Sequence, residues 1–400
     1  MAAKRISARF MPAVRAVTLL LAAAGLLQAG CSSNDIDPDD LPAELVKFEP
    51  AFKIKKVWST GVGDGTERLR LALRPATDGT HIYAAAHDGR IIARVAATGK
   101  GVWSAKTRLA LSAGPATDGK TVVAGSSNGE IVALEADTGE QRWVREVTSE
   151  VLGSPAVVGD NVLVQTVNGK LTALNAANGE TLWSVQQSMP NLSVRGTAAP
   201  VVTRGQVVSG FDNGRVASYD LQDGGELWSV LMDPPSGRTE LDRLIDINAS
   251  PVVAGNDVYA AGYQGRIGAV ALESGQLLWS RELSTYSGLA VDVSSIYVTD
   301  QRSELVAISR GSGRELWRRK DVRNRDVTAP AILGSSVVVG DNEGYLHWFD
   351  SSTGSLQARV KAGGKRISSQ PLVLNDIIYV MNDAGSLYAF RIKADKRRGD

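Results

Sequence analysis

The residues able to do covalent or metal chemistry are few. Cys31 is the single cysteine of the 400-residue chain, so no internal disulfide and no four-cysteine zinc site can form. It follows Leu27-Gln28-Ala29-Gly30, a run of small residues behind an apolar stretch. A thiol in that setting is placed for acyl attachment. Three histidines exist, His81, His87 and His347. His81 and His87 lie one hairpin arm apart with no third ligand nearby, short of what a zinc ion needs. Gly125-Ser126-Ser127-Asn128-Gly129 matches the spacing of a serine-nucleophile elbow. That chemistry requires a strand-to-helix turn, and the surrounding residues read as a β-hairpin. Gly61-Val62-Gly63-Asp64-Gly65 lacks the helix and the Lys-Ser/Thr of a phosphate loop. Asp35 to Asp39 is acid-rich, but as a calcium loop it would place Asp40 and Val46 where Gly and Glu are needed. The composition therefore argues against an enzyme and against a metal site.

The leader accounts for the cysteine. Lys4, Arg5, Arg9 and Arg15 precede the apolar run Ala16 to Leu27. Twelve apolar residues are too few to span a bilayer, which takes about 20, but they suit a secretion signal. Leu27 to Cys31 resembles the lipobox of bacterial lipoproteins, with Gln28 where Leu is usual. The alternative is a plain secretory leader cut near Ala29. Ser32 after the cysteine implies, by enteric-type sorting rules, transfer to the outer membrane. We expect residues 1–30 to be a signal peptide, 31–50 a lipidated N terminus with an extended tether, 51–392 the folded body and 393–400 a charged tail. Removing the leader takes four of the 44 basic residues and none of the 43 acidic ones, leaving a net charge of −3. Such a chain has no basic field for nucleic acid.

The body repeats one motif. Residues 115–143, 155–183 and 251–279 each run from a proline through an apolar stretch, a glycine turn, an alternating segment and a second glycine turn to a tryptophan. The first-turn positions are Gly89, Gly129, Gly169, Gly214, Gly265, Ser303, Gly344 and Gly385, with spacings of 40, 40, 45, 51, 38, 41 and 41. Each unit is β by its local chemistry. Asn168-Gly169 between two short alternating runs is a hairpin turn in which both residues tolerate positive φ. Four short strands per roughly 40 residues, repeated eight times, predict an all-β, eight-bladed β-propeller of four-stranded antiparallel blades. Trp103, Trp143, Trp183, Trp228, Trp279 and Trp317 end units one to six, unit seven has Gln357 near that place, and unit eight stops short of it. The orphan segment Val57-Trp58 is then expected to complete blade eight and close the ring.

The repeat breaks in two places. From each tryptophan to the next unit's proline the spacing is 12, 12 and 13 after Trp103, Trp143 and Trp317, but 17 after Trp183 and 23 after Trp228. These connectors leave outer strands for inner strands on one face, and the two long ones flank blade four. They interleave apolar groups with Arg and Asp, which suits a contact with a desolvated centre and a charged rim.

Ala133 to Trp143 resembles the repeat of pyrroloquinoline-quinone (PQQ) dehydrogenases, which implies an enzyme alternative. Units this close to minimal length leave no cap over a cofactor, so none is expected. More specific are Leu192-Ser193-Val194-Arg195-Gly196, Thr239-Glu240-Leu241-Asp242-Arg243-Leu244 and Val339 to Trp348. With the leader and all eight units, they resemble the BamB family, propeller lipoproteins of the outer-membrane β-barrel assembly machinery. The resemblance implies a non-catalytic scaffold on the periplasmic face of the outer membrane, anchored at Cys31. It implies BamA as partner and nascent outer-membrane proteins as clients. It also implies a BamA contact at Leu192, Val194, Arg195, Asp246 and Asn248. Val194 stands where Leu is usual, and Asn248 where Asp is usual. A propeller lipoprotein with a different envelope partner is the remaining alternative.

Overall fold

A computed structural model of the chain describes residues 40–66, 69, 71, 73–190, 192, 198–232, 246–247 and 249–393. Among them every regular element of strand or helix length is a β-strand, numbered β1 to β32 along the chain. The strands form eight four-stranded antiparallel sheets. Blade one is β2 (Ala76–Thr77), β3 (His81–Ala85), β4 (Arg90–Val95) and β5 (Gly101–Lys106). Blades two to seven follow as β6–β9 (Leu111 to Glu146), β10–β13 (Ala156 to Gln186), β14–β17 (Val201 to Leu231), β18–β21 (Val252 to Glu282), β22–β25 (Leu289 to Arg319) and β26–β29 (Ala331 to Lys361). Blade eight takes β30 (Leu372–Leu374), β31 (Ile377–Asn382) and β32 (Ser386–Ile392), and its outer strand is β1 (Ile54–Gly61). Trp58 lies opposite Ala389 in that pairing. The ring closes with its N-terminal strand as expected, which covers the edge of β32.

The core is divided among the seams between blades. Eight apolar clusters are present, and each joins one blade to the next; Tyr83, Ile91 and Leu111 with Val122 and Leu134, for example, join blades one and two. The middle strands are apolar on both faces because both faces are covered. In the outer strands only the tryptophan side turns inward, and the preceding residue is left in solvent, as at Leu182, Leu227, Leu278 and Leu316.

Each tryptophan staples two blades. The indole Nε1 of Trp143 donates to Ala176 O at 3.0 Å, and that of Trp103 donates to Ala136 O at 2.7 Å. Trp58, Trp183, Trp228, Trp279 and Trp317 repeat the bond at the following seams. A glycine turn of the next blade lies against the ring. At Gly139 φ is +75°, and a Cβ there would stand 2.6 Å from Trp103 Cε3, so only glycine lets the blades approach. Blade seven departs from the pattern. Ala358 takes the tryptophan's place on β29, and Trp348 opposite it on β28 supplies the volume from one strand further in.

Candidate functional site

The long connectors meet at one hairpin. The first leaves β13 at Gln186. Gln187 donates its backbone N–H to Gly169 O of blade three, and its side chain reaches Tyr219 Oη of blade four at 2.7 Å. Ser188 O accepts from Asn213 Nδ2 at 3.0 Å. The second leaves β17 with Met232, whose N–H donates to Gly214 O. On its return, Ile247 donates to Phe211 O at 3.3 Å, and Tyr263 N donates to Asp246 O at 2.9 Å. Both connectors are therefore held by the turn Phe211 to Gly214 between β15 and β16 of blade four. They are also tied to each other where they end, since Ala199 N donates to Ser250 Oγ at 2.9 Å. The described ends of the two lengthened connectors thus lie beside each other at blade four.

The predicted contact residues are placed unequally. Leu192 is exposed, with 43% of its surface in solvent. Asp246 is completely buried, next to the well-packed Ile247. Val194, Arg195 and Asn248 lie outside the described residues, as do Cys31 and the whole leader.

The other chemical candidates are satisfied by the fold. His81 Nδ1 lies 3.0 Å from Asp78 Oδ2, and His87 Nδ1 lies 2.9 Å from Leu111 O. Ser127 sits in the hairpin turn after β7, its N–H given to Ala110 O. The Gly61 to Gly65 stretch lies on blade eight, where Val62 N donates to Gly385 O and Thr66 N to Asp383 O. Among the described residues no group of three or more His, Cys, Asp or Glu converges as a metal site would require. Gln370 of blade eight reaches the inner-strand carbonyls of Pro330 and Leu289 in blades seven and six, at 2.7 and 3.4 Å.

One cluster has no counterpart in the sequence reading. In blade seven, Asp341 Oδ2 accepts from Arg325 Nε at 2.9 Å and from His347 Nε2 at 3.0 Å. Its Oδ1 accepts the backbone N–H groups of Glu343 and Tyr345. Arg359 Nε lies 3.2 Å from His347 Nδ1. An arginine Nε–H only donates, so Nδ1 must be the acceptor and the imidazole proton resides on Nε2. Burial pushes the His347 pKa below its ordinary value, outweighing the adjacent carboxylate. Burial opposes ionisation of Asp341, but His347, the Tyr345 amide and Arg325 together hold its pKa below the ordinary carboxylate value. A signal for this cluster exists only in hindsight. Asp341 and His347 stand on opposite arms of one tight hairpin, six residues apart, while their arginines come from elsewhere.

A family model described as outer membrane protein assembly factor BamB matches residues 87–319 and 310–398. The outer membrane protein assembly factor BamB of Pseudomonas aeruginosa is 42% identical over 373 residues, covering 93% of this chain and 98% of the relative. That of Escherichia coli K12 is 34% identical over 390 residues, covering 95% and 97%. The crystal structure of BamB from Moraxella catarrhalis superposes with a TM-score of 0.77 at 26% identity, covering 85% of this chain and all of that one. The quinohemoprotein alcohol dehydrogenase of Comamonas testosteroni gives 0.69 at 13% identity, a likeness of fold alone. With matched length, repeat and closure, this chain belongs to the family of the outer membrane protein assembly factor BamB.

Proposed function

We propose that the protein is a non-catalytic scaffold of the outer-membrane β-barrel assembly machinery. It is held by lipid on Cys31 at the periplasmic face of the outer membrane and binds the periplasmic domains of BamA. The observation that carries the reading is the meeting of both long connectors at the Phe211 to Gly214 turn of blade four, in a chain of this family. Leu192, Val194 and Arg195 contribute to the contact from the first connector. Asp246 and Asn248 act from the second connector, Asp246 from a completely buried position. The outer strands of the blades leave backbone groups unpaired, and extended client segments can add to such edges.

The test is affinity purification from gently solubilised membranes. BamA should be recovered near stoichiometry with the wild type and be depleted at least tenfold with Arg195→Glu, while both proteins melt alike. Undiminished recovery with the variant would remove Arg195 from the contact. Recovery of a different envelope protein in place of BamA would replace the partner and leave the propeller intact.

A further inference from the structure

The seam between blades seven and eight lacks an outer-strand tryptophan for a topological reason. In every other blade a turn joins the third strand to the fourth, and its glycine receives the neighbouring tryptophan. In blade eight those two strands come from opposite ends of the chain and meet only where Lys393 N donates to Lys53 O. The vacant place is filled by the first residue of β1 and the chain just upstream of it. Phe52 and Ile54 pack into the cluster of Trp348, Ala358 and Phe390.

From there the chain runs back along the outside of blade seven, held at successive heights. Ala51 N donates to Gln357 O at 2.8 Å, at the start of β29. Arg359 on the same strand lies over the Phe48 ring, 5.3 Å from its centre, and its Nη1 donates to Val46 O at 3.1 Å. Arg325 Nη1 donates to Ala43 O at 3.0 Å, and Ala43 N donates to Arg323 O at 2.9 Å. Arg323 and Arg325 belong to the connector between blades six and seven. In antiparallel four-stranded blades the outer strand ends on the face where the next inner strand begins. That connector therefore shares a face with the two long ones at blade four.

The buried cluster explains the aim of both arginines. Arg325 is 3% exposed, and its Nε is fixed by Asp341; Arg359 Nε is fixed by His347, which Asp341 fixes in turn. A buried charge network contributes little net stability against apolar packing. This one leaves two guanidinium groups pointing outward at two carbonyls of the N-terminal segment.

We propose that residues 43–52 are a docked strap, seated on blade seven by Arg325, Arg359 and the unstapled seam, which fixes the exit of the anchored N terminus on the connector face. The consequence for the membrane rests on the lipid-anchor reading above; the docking itself does not. Undocked, the 21 residues from Cys31 to Phe52 would reach up to ~70 Å in any direction. Docked, the 12 from Cys31 to Ala43 reach ~40 Å from one point on the connector face. The shorter reach makes the connector face, which carries the exit, the side held nearer the lipid.

The experiment uses full-length protein purified from membranes in detergent. The mass of its N-terminal peptide reports lipid on Cys31 separately from docking. Docking is read by trypsin cleavage after Lys47 and by hydrogen exchange at the Ala43 and Ala51 amides. Phe48→Ala and Arg359→Ala should each speed cleavage and exchange about tenfold; Phe48→Ala removes only the ring that Arg359 covers and leaves the hydrogen bonds of Arg325, Asp341, His347 and Arg359 in place, so it should keep the melting temperature within a few degrees. Equal cleavage in the wild type and Phe48→Ala, with both amides exchanging at unprotected rates, would overturn the strap. Orientation is read on liposomes carrying a headgroup quencher, with a fluorophore at Asn342→Cys on the connector face or Asp160→Cys on the opposite one. Stronger quenching at position 342, lost on adding Phe48→Ala, is the expected result. Equal quenching at both positions in lipidated protein would overturn the fixed exit.

Discussion

His347 is buried as a neutral imidazole, its Nε2–H given to Asp341 and its Nδ1 accepting from Arg359. That protonation state makes a prediction. The folded chain holds the imidazole proton more weakly than the unfolded chain, where a histidine titrates near ~6.5. Between those two values the unfolded state binds more protons, so stability rises with pH and is lost as pH falls below ~6.5. Asp341, lowered as well, acts with the same sign at more acid pH. Asp300 and Asp383, raised chiefly by burial, act with the opposite sign near their own titration. The wild type should lose up to ~1.4 kcal/mol per pH unit between pH 6.5 and the folded pKa of His347. His347→Gln should flatten that slope while leaving the carboxylate contributions in place. Denaturant titrations of both proteins at several pH values decide it; parallel curves would mean that His347 is not neutral in the fold. The sequence offered this histidine without its role. Residue spacing can pair Asp341 with His347 across a hairpin, but Arg325 and Arg359 join them only through packing.

The blade, at the scale of the element, is a sheet that cannot stand alone, because its apolar faces are covered by its neighbours. The tryptophans connect one blade to the next, and their contribution divides into two parts. Trp143→Phe keeps most of the ring and loses the bond to Ala176 O, so it should cost ~1 kcal/mol. Trp143→Ala also empties the seam and should cost ~3–5 kcal/mol. Equilibrium unfolding should rank them in that order, and equal losses would place the whole effect in the hydrogen bond. This pattern was legible in advance, since a repeated tryptophan beside a repeated glycine turn has a packing reason. Blade seven was less so. Gln357 is nearest in spacing, but Ala358 occupies the place and Trp348 provides the bulk. A volume can move between paired strands without changing the alternation that the sequence displays.

The whole molecule depends on closure. β1 pairs with β32 along Ile54 to Gly61 and brings Trp58, whose indole donates to Ala96 O of blade one at 2.8 Å. Truncation through Gly61 should expose the edge of β32 and empty the seam between blades eight and one. From the tryptophan alone, a loss of ~3–5 kcal/mol is expected. At ~2–4 °C per kcal/mol this is a fall in melting temperature of more than about 6 °C. The freed edge should also make the truncated chain self-associate. Calorimetry and light scattering test both; a monomer with unchanged melting would mean that the ring does not need its N-terminal strand.

The sequence by itself determined the repeat, the number of blades, the closing strand and the two lengthened connectors. These follow from local chemistry: alternation, turn residues that accept positive φ, and a count of residues between landmarks. Tertiary structure alone decided that both connectors are gripped by one turn of blade four and that Asp246 is interior while Leu192 is exposed. It alone decided that residues 43–52 lie along blade seven above a buried Arg–Asp–His–Arg network. Apart from the His347 bonds to Asp341 and Arg359, those facts join residues 16 to more than 300 positions apart. No periodicity carries information over such separations; only the geometry of the closed ring brings the partners together.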